Sequence, residues 1–276
     1  KKPIRGVFRL QSQVFQNFLS SEKPHSACQK GFFDKLNLWA CHTRRIVWIT
    51  ERTDRGMSMH ENEWERMVSG RLYNPADPEV AKRHRAGMLR CDRFNRIPLR
   101  RAKAKQRALE KLIPSAVGRN FEVFAPFYCE YGVNIHVGQS CFVNYKSVFL
   151  DVAPITLGNN VLIGPNVTLA TPNHPFAPEE RAFADYPDGH HELEYAAAIT
   201  IGDNCWLSSG VTVCGGVTIG AGSIIAAGAV VTRDIPAGCL AAGVPARVIR
   251  RIDEGDRIHV WDTYQKNELP VSDRKK

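Results

Sequence analysis

Histidine is the side chain best suited to taking and returning a proton near neutral pH. One histidine of this sequence stands where that chemistry is easiest to build. The stretch ATPNHPFAPEE, residues 170–180, sets His174 between Pro172 and Pro175. The two rings fix φ on either side and narrow the conformations open to the residues before them. An imidazole held in this way loses little orientational entropy when it acts. In isolation Asn-His-Pro is ordinary turn chemistry, so the reading depends on what surrounds it. The eight cysteines, at 28, 41, 91, 129, 141, 205, 214 and 239, form no CxxC pair and have no histidine at zinc spacing. They read as scattered reduced thiols of a cytoplasmic or other reducing compartment.

A base needs a frame, and here the frame is a six-residue repeat. In ITIGDNCWLSSGVTVCGGVTIGAGSIIAAGAVVTRDIP, from residue 199, aliphatic anchors recur at Ile201, Leu207, Val213, Ile219, Ile225 and Val231. Four residues after each comes a second apolar or small residue: Cys205, Val211, Val217, Ser223, Ala229 and Ile235. The same register runs through Leu157, Ile163 and Leu169, and a degenerate version through Val137, Val143 and Phe149. Neither a helical nor a plain strand period produces this pattern. Such units close into a triangular coil of three short strands, each coil stacking on the next at roughly 4.8 Å. The expected fold is mainly β, a parallel β-helix with anchors inside and glycines at the corners.

Ahead of the coils, residues 60–114 read as a helical cap. Asn62 or Glu61 starts a first helix that Gly70 ends. Asp77 caps a second from Pro78 to about Asn95, and Pro98 opens a third, rich in arginine and lysine, as far as Pro114. The expected organisation is a basic extension over 1–58, the cap over 59–115, the β-helix over 116–252 and a polar tail over 253–276. The tail has one amphiphilic patch at Trp261 and Tyr264.

No apolar run approaches the roughly 18 residues of a membrane span. The net charge of +9 divides unevenly: residues 1–58 hold 11 Lys and Arg against 4 acids, which leaves +2 for all the rest. A nearly neutral body gives no reason to expect nucleic acid or a membrane as partner. The first 21 residues lack any acid and place Ile4, Val7, Phe8, Val14, Phe15 and Phe18 at helical spacing. That pattern is transit-peptide-like; the competing expectation is a disordered upstream extension from a gene model that the fold does not need.

Three stretches carry a family resemblance. ENEWERMVSGRLYNPADPEVAKRHRAGMLRCDRFN resembles the helical cap of maltose and galactoside O-acetyltransferases. YCEYGVNIHVGQSCFVNYKSVFLDVAPITLGNNVLIGPNVTLATPNHPFAPEER is similar to their first coils and active-site loop, and the region from Ile199 through GVPARVIR to their coenzyme A coils. The resemblance spans residues 60–252 and implies a left-handed β-helix. It implies acetyl-CoA-dependent O-acetyl transfer to a sugar or related hydroxyl compound, direct within a ternary complex, with His174 as general base and no metal.

Residue by residue, it places Asn144 and Asp151, with Arg83 and Arg85 of the cap, at the acceptor. Trp206 would flank the acetyl group, and the Ser209 backbone would bind the thioester carbonyl or the coenzyme. Ala227 and Thr232 would present backbone to the pantetheine arm, and Arg247 and Arg250 would meet the phosphates. A homotrimer is implied, its sites shared between subunits with His174 from one and Asn144 from the next. Two departures stand out: Ser208 where relatives usually have Gly, so a non-Gly residue is expected in a strained corner, and a longer segment 183–198 carrying His190 and His191. Alternatives are a xenobiotic or amino-acid acetyltransferase, a zinc carbonic anhydrase of the same repeat, which needs three histidines, and a non-catalytic scaffold with a basic arm.

Overall fold

Each hexad supplies one short strand whose inward side chain is the anchor. The computed structural model, which describes residues 62–266, stacks those anchors in three columns. On the first face Cys129, Phe149, Leu169, Val213 and Val231 are in register. On the second the column is Val137, Leu157, Ile201 and Ile219. On the third it is Val123, Val143, Ile163, Leu207, Ile225 and Ala241. All are buried, and each large aliphatic one contributes about 1.5–3 kcal/mol of transfer free energy. The strands of the three coil faces are parallel until Ala246–Arg251, which turns back antiparallel on Cys239–Gly243 and ends the third sheet.

The outward positions separate the faces chemically. The second face presents His136, Thr156, Thr200 and Thr218. The third presents an apolar row, Phe142, Leu162, Trp206, Ile224 and Leu240.

Later turns advance by 18 residues, as from Ile201 to Ile219, whereas earlier ones advance by 20, as from Val137 to Leu157. The two extra residues fall at one corner, between Phe149 and Leu157 and, a turn earlier, between Cys129 and Val137. In the next turn the same corner holds the whole segment from Leu169 to Ile201, including His174. The coil is thus enlarged three times in succession at a single edge.

Glycine does two jobs rather than one. Gly210 supplies a left-handed corner at φ 70°. Gly202 instead allows close stacking, because a Cβ there would lie 2.5 Å from the Ala221 nitrogen. Several corners use asparagine: Asn160, Asn166 and Asn204 have φ of 54°, 58° and 57°, and Asn160 Nδ2 donates to Asn204 Oδ1 at 3.1 Å. Ser208 is not strained as expected; the left-handed conformation falls two residues on, at Gly210.

The cap begins with α1 (Glu63–Val68), where Asn62 and Glu65 form a reciprocal capping box. In α2 (Pro78–Arg96) the Asp77 carboxylate accepts from the Glu79 and Val80 amides. Pro98 opens a 3-10 turn, Leu99–Arg101, before α3 (Ala102–Leu112) begins. Phe94, Leu109, Leu112 and Ile113 join Phe127 and Phe149 in the same core and close that end of the coil. A short α4 (Pro178–Arg181) follows His174. The tail is more ordered than its polarity suggests: α5 (Val260–Gln265) stacks Trp261 on Tyr264 at 5.7 Å. The basic extension, with Cys28 and Cys41, lies outside the described residues.

Gly202→Ala tests the stacking constraint. The added methyl meets backbone that cannot rotate away, so a loss of about 1–3 kcal/mol is expected, read as a lower Tm or denaturation midpoint. Wild-type stability in this variant would refute the close-approach role.

Candidate active site

The enlarged edge is wired by polar groups that have left the hexad pattern. Asp151 is fully buried, and its Oδ1 accepts from the amides of Glu130 and Tyr131 at 3.0 and 2.9 Å. Asn134 Nδ2 donates to the carbonyls of Asp151 and Val152. Thr171 Oγ1 accepts from the Ala153 amide and donates to the Leu150 carbonyl. These side chains therefore give backbone groups of the added corners partners in the turn above or below, as buried backbone requires. Asp151 does not present its carboxylate to the surface as an acceptor contact would require. In the described chain it ties two enlarged corners together, with Oδ2 left unpartnered.

His174 leaves this edge directly after Pro172–Asn173, which pairs antiparallel with Tyr195–Ala196. The loop is therefore held at its root by a two-stranded pairing as well as by its prolines. Farther out, Arg181 Nη1 lies 3.3 Å from the Pro175 carbonyl. The His174 ring is half exposed, with Nδ1 3.8 Å from Glu194 Oε1. The other oxygen of Glu194 accepts from the Tyr73 hydroxyl at 2.9 Å. The backbones of Tyr73 and Glu194 exchange hydrogen bonds of 2.9 and 3.1 Å. Tyr73 is buried, so the cap fixes the carboxylate that faces the imidazole. Neither Tyr73 nor Glu194 was among the residues picked out from the sequence.

Around this pair lie groups that sequence reasoning also missed. His84 of α2 packs on Tyr131 with ring centroids 5.3 Å apart, and Trp64 of α1 meets the same ring edge-on at 5.1 Å. Burial pushes the Glu130 carboxyl up to about 7, reinforced by Asp151 and Glu194. Burial likewise raises Asp151 to about 6, opposed by the amides bonded to it. His84 is lowered by its own burial and raised in part by Glu194.

Arg83 and Arg85 do not jointly face this region. Two residues on a helix are about 200° apart; Arg83 bonds Glu79 at 2.8 Å and lies 4.5 Å over the Trp64 ring, while Arg85 is exposed. His84, between them, is the half-buried one. The long segment 183–198 folds as a hairpin pairing Ala184–Tyr186 with Gly189–His191. There His190 meets Asp185 at 2.8 Å and His191 meets Asp188 at 3.0 Å.

His174, Glu192 and Glu194 bring one nitrogen and two carboxylate oxygens within 4.8 Å of one another. This could accept a cation, but it is not the three-histidine set of a zinc hydratase. His136 faces outward on the second face and is not part of it.

The remaining expected residues gather elsewhere on the prism. Asn144 sits at the corner leaving the third face, with its amide on the Ile163 carbonyl and its Oδ1 accepting from the Tyr145 amide. Gly164 and Ser208 continue that corner in the turns that follow. Trp206 projects half exposed from the third face. The Ser209 carbonyl accepts from the Gly228 amide, while its own N–H has no acceptor among the described residues. Ala227 and Thr232 are exposed. Arg247 is exposed and donates only to the neighbouring Ala246 carbonyl. Arg250 is already gripped by Asp256 through two bonds of 2.8 and 2.7 Å, a pairing that the sequence reading did not anticipate. Within one chain, then, His174 and the Asn144–Trp206–Ser209 group occupy different edges.

Comparison with known proteins gives this geometry a context. Residues 66–118 match the family described as maltose acetyltransferase hexapeptide capping motif, and residues 198–233 the bacterial transferase hexapeptide of six repeats. The chain is 35% identical over 206 residues to a galactoside O-acetyltransferase of Escherichia coli, covering 73% of this chain and 95% of that one. A maltose O-acetyltransferase structure from Clostridium difficile aligns with a TM-score of 0.64 at 37% identity, covering 70% and 98% of the two chains. A galactoside acetyltransferase solved in complex with coenzyme A aligns at 0.61 and 34%, covering 70% and 92%.

The raised carboxyls set a pH dependence. Folded values above the ordinary range mean that Glu130 and Asp151 favour the protonated form in the folded chain. Their stabilising contribution is complete below that range and is lost as pH rises through about 6 and then about 7. Between about pH 5 and about pH 8 the wild-type Tm should therefore fall relative to Glu130→Gln, whose amide does not titrate. Parallel Tm curves for the two proteins would contradict the burial assigned to Glu130.

Proposed function

Because the chain belongs to the hexapeptide-repeat acetyltransferases that carry the maltose acetyltransferase cap, we propose that it transfers acetyl from acetyl-CoA to a hydroxyl of a sugar-like acceptor, with His174 as general base. The observation that carries the reading is the pairing of the proline-flanked His174 with Glu194 at the edge where cap and coil meet. The neighbouring groups suit a hydroxyl-rich ring: Glu130 and Glu194 offer acceptor oxygens, and Trp64, His84 and Tyr131 offer ring surface.

In the proposed reaction Glu194 faces Nδ1 and leaves Nε2 for the acceptor. As the acceptor oxygen attacks the acetyl carbonyl carbon, its proton passes to Nε2. The carbon–sulfur bond then breaks and the same proton goes to the departing thiolate, so no acyl-enzyme forms and no metal is needed. The uncommitted Ser209 N–H suits the carbonyl oxygen on which charge builds, a fixed donor of the kind that contributes about 2.7–4 kcal/mol in other acyl transfers. Trp206 suits the acetyl end of the coenzyme, with the backbone at Ala227 and Thr232 along its arm. Arg247 suits a phosphate; Arg250 would share its guanidinium with Asp256.

The separation of His174 from the Asn144 edge supports a trimer. A prism edge alone encloses no acceptor, whereas three prisms packed in a closed ring would set one subunit's His174 edge against the next subunit's Asn144 edge. The apolar outward row of the third face, with Leu162 and Trp206 each about half exposed, is the natural packing surface. The polar second face is not.

His174→Ala should lower kcat on the order of 10²-fold or more with coenzyme affinity unchanged. Glu194→Gln should lower kcat roughly tenfold with the acceptor KM little changed, since an amide still fills the space but no longer sets a carboxylate against Nδ1. Near-wild-type turnover in the histidine variant would remove the base assignment. Wild-type kcat in the glutamine variant would remove the orienting one.

Mixed trimers test the assembly. His174→Ala and Asn144→Ala subunits, each inactive alone, should recover part of the activity when exchanged, because some shared sites then carry neither change. A monomer by light scattering, or no recovery after verified exchange, would refute it.

A further inference from the structure

The charge of the cap is segregated in a way that the chain totals conceal. Between Arg93 and Arg119 nine lysines and arginines stand against one acid, Glu110, so this stretch carries +8 and the rest of the body −6. Earlier in the cap several cations are paired: Arg66 with Glu63, and Lys82 and Arg83 with Glu79. Within the stretch only two have local work. Arg96 meets Asp92 at 2.9 Å. Lys105 is buried, donates to the Phe94 and Ile97 carbonyls at 3.1 and 3.2 Å, and so caps the end of α2. The other seven are exposed and make no ion pair or side-chain hydrogen bond among the described residues.

Six of the seven surround α3. Arg93, Arg101, Arg107 and Lys111 ring a depression of about 340 Å³ floored by Ala104 and Ala108. Arg100 and Lys103 join the same Arg101 and Arg107 around an adjoining one of about 390 Å³. No acid lines either. No aromatic, amide or hydroxyl side chain lines them, so nothing there would stack on a base or read its edge. Leu99 projects beside Arg100 and Arg101 and is 75% exposed. Cationic heads on aliphatic stems, with an exposed leucine at their border, match a surface whose negative charge is dense but unpatterned and whose depth is apolar.

We propose that this face of α3 docks on an anionic phospholipid bilayer and holds the enzyme there peripherally. Attachment through these exposed cations is electrostatic, reversible and salt-sensitive; no helix among the described residues is long and apolar enough to cross a membrane. Clusters of about four to eight lysines and arginines read as sites for anionic lipid, and the six here, from α3 with the end of α2 and the turn between them, fall in that range. The near neutrality of the body argues against this only if charge is averaged; a surface responds to the face it meets.

The test is co-sedimentation of the full chain with vesicles of phosphatidylcholine alone and with about 30 mol % phosphatidylserine. The variant Arg100→Gln/Arg101→Gln/Lys103→Gln/Arg107→Gln is compared with a control that replaces four cations of the N-terminal stretch, Lys1, Lys2, Arg5 and Arg9, by Gln. The expected result is binding only to anionic vesicles, weakened at least tenfold in the α3 variant and less in the control. Wild-type Tm in both would show that folding is intact. Equal binding by the α3 variant, equal binding to neutral vesicles, or a loss confined to the control would overturn the proposal. So would a stronger α3-dependent affinity for duplex DNA than for the vesicles.

Discussion

An interior one side chain wide at each face governs this molecule. Each coil brings one anchor per face into a column, and the next coil must place its own anchor directly above, as Leu157, Ile201 and Ile219 do. A residue added within a strand would turn the inward side chain outward and break the column. Insertions can therefore leave only at corners. Those in this chain leave at one corner in three successive turns, small in the first two and large in the third. The loop that carries His174 is thus confined to an edge while the columns of the frame keep their register.

That confinement creates a problem which the buried polar groups solve. Enlarged corners expose backbone that the regular coil would have paired, and Asp151, Asn134 and Thr171 supply the missing partners between turns. Placing a carboxylate there is costly, which is why Asp151 and its neighbour Glu130 are both pushed upward. The cap then completes the edge. Its Tyr73 reaches 121 residues along the chain to fix Glu194, and Glu194 faces the imidazole. Cap and coil thus meet at the edge that carries His174, through the Tyr73–Glu194 contact.

What was legible in the sequence was what repeats or what is local. The anchors announced the columns, Asn62 or Glu61 marked the start of the first helix, and the prolines beside His174 marked a held loop. What was illegible depends on distant approach. Nothing near Glu194 says that Tyr73 will meet it, and nothing near Arg250 marks Asp256 as its partner across a turn. The resemblance put Asp151 at the acceptor, but a short corner residue can equally face inward, and here it does. Arg83 and Arg85 looked alike in sequence, yet helical geometry sends them to different sides and leaves His84 facing Tyr131. Ser208 looked strained because its type was compared with glycine at one position, when the turn could pass the left-handed residue to Gly210.

Charge shows the same difference between a sum and a placement. Divided only into an N-terminal stretch and the rest, the chain has a nearly neutral body, and that sum suggested no polyanionic partner. The fold sorts the body again. Acidic groups collect at the edge that carries His174, where Glu130, Asp151, Glu192 and Glu194 lie near it or beneath it, and cations collect around α3. Opposite charges drawn to separate regions cannot screen one another beyond the Debye length of about 8 Å. Under the proposed function the acidic region would face a hydroxyl-bearing acceptor, and the basic one would face the anionic bilayer proposed for it. A neutral total is therefore compatible with two oppositely charged regions on one body.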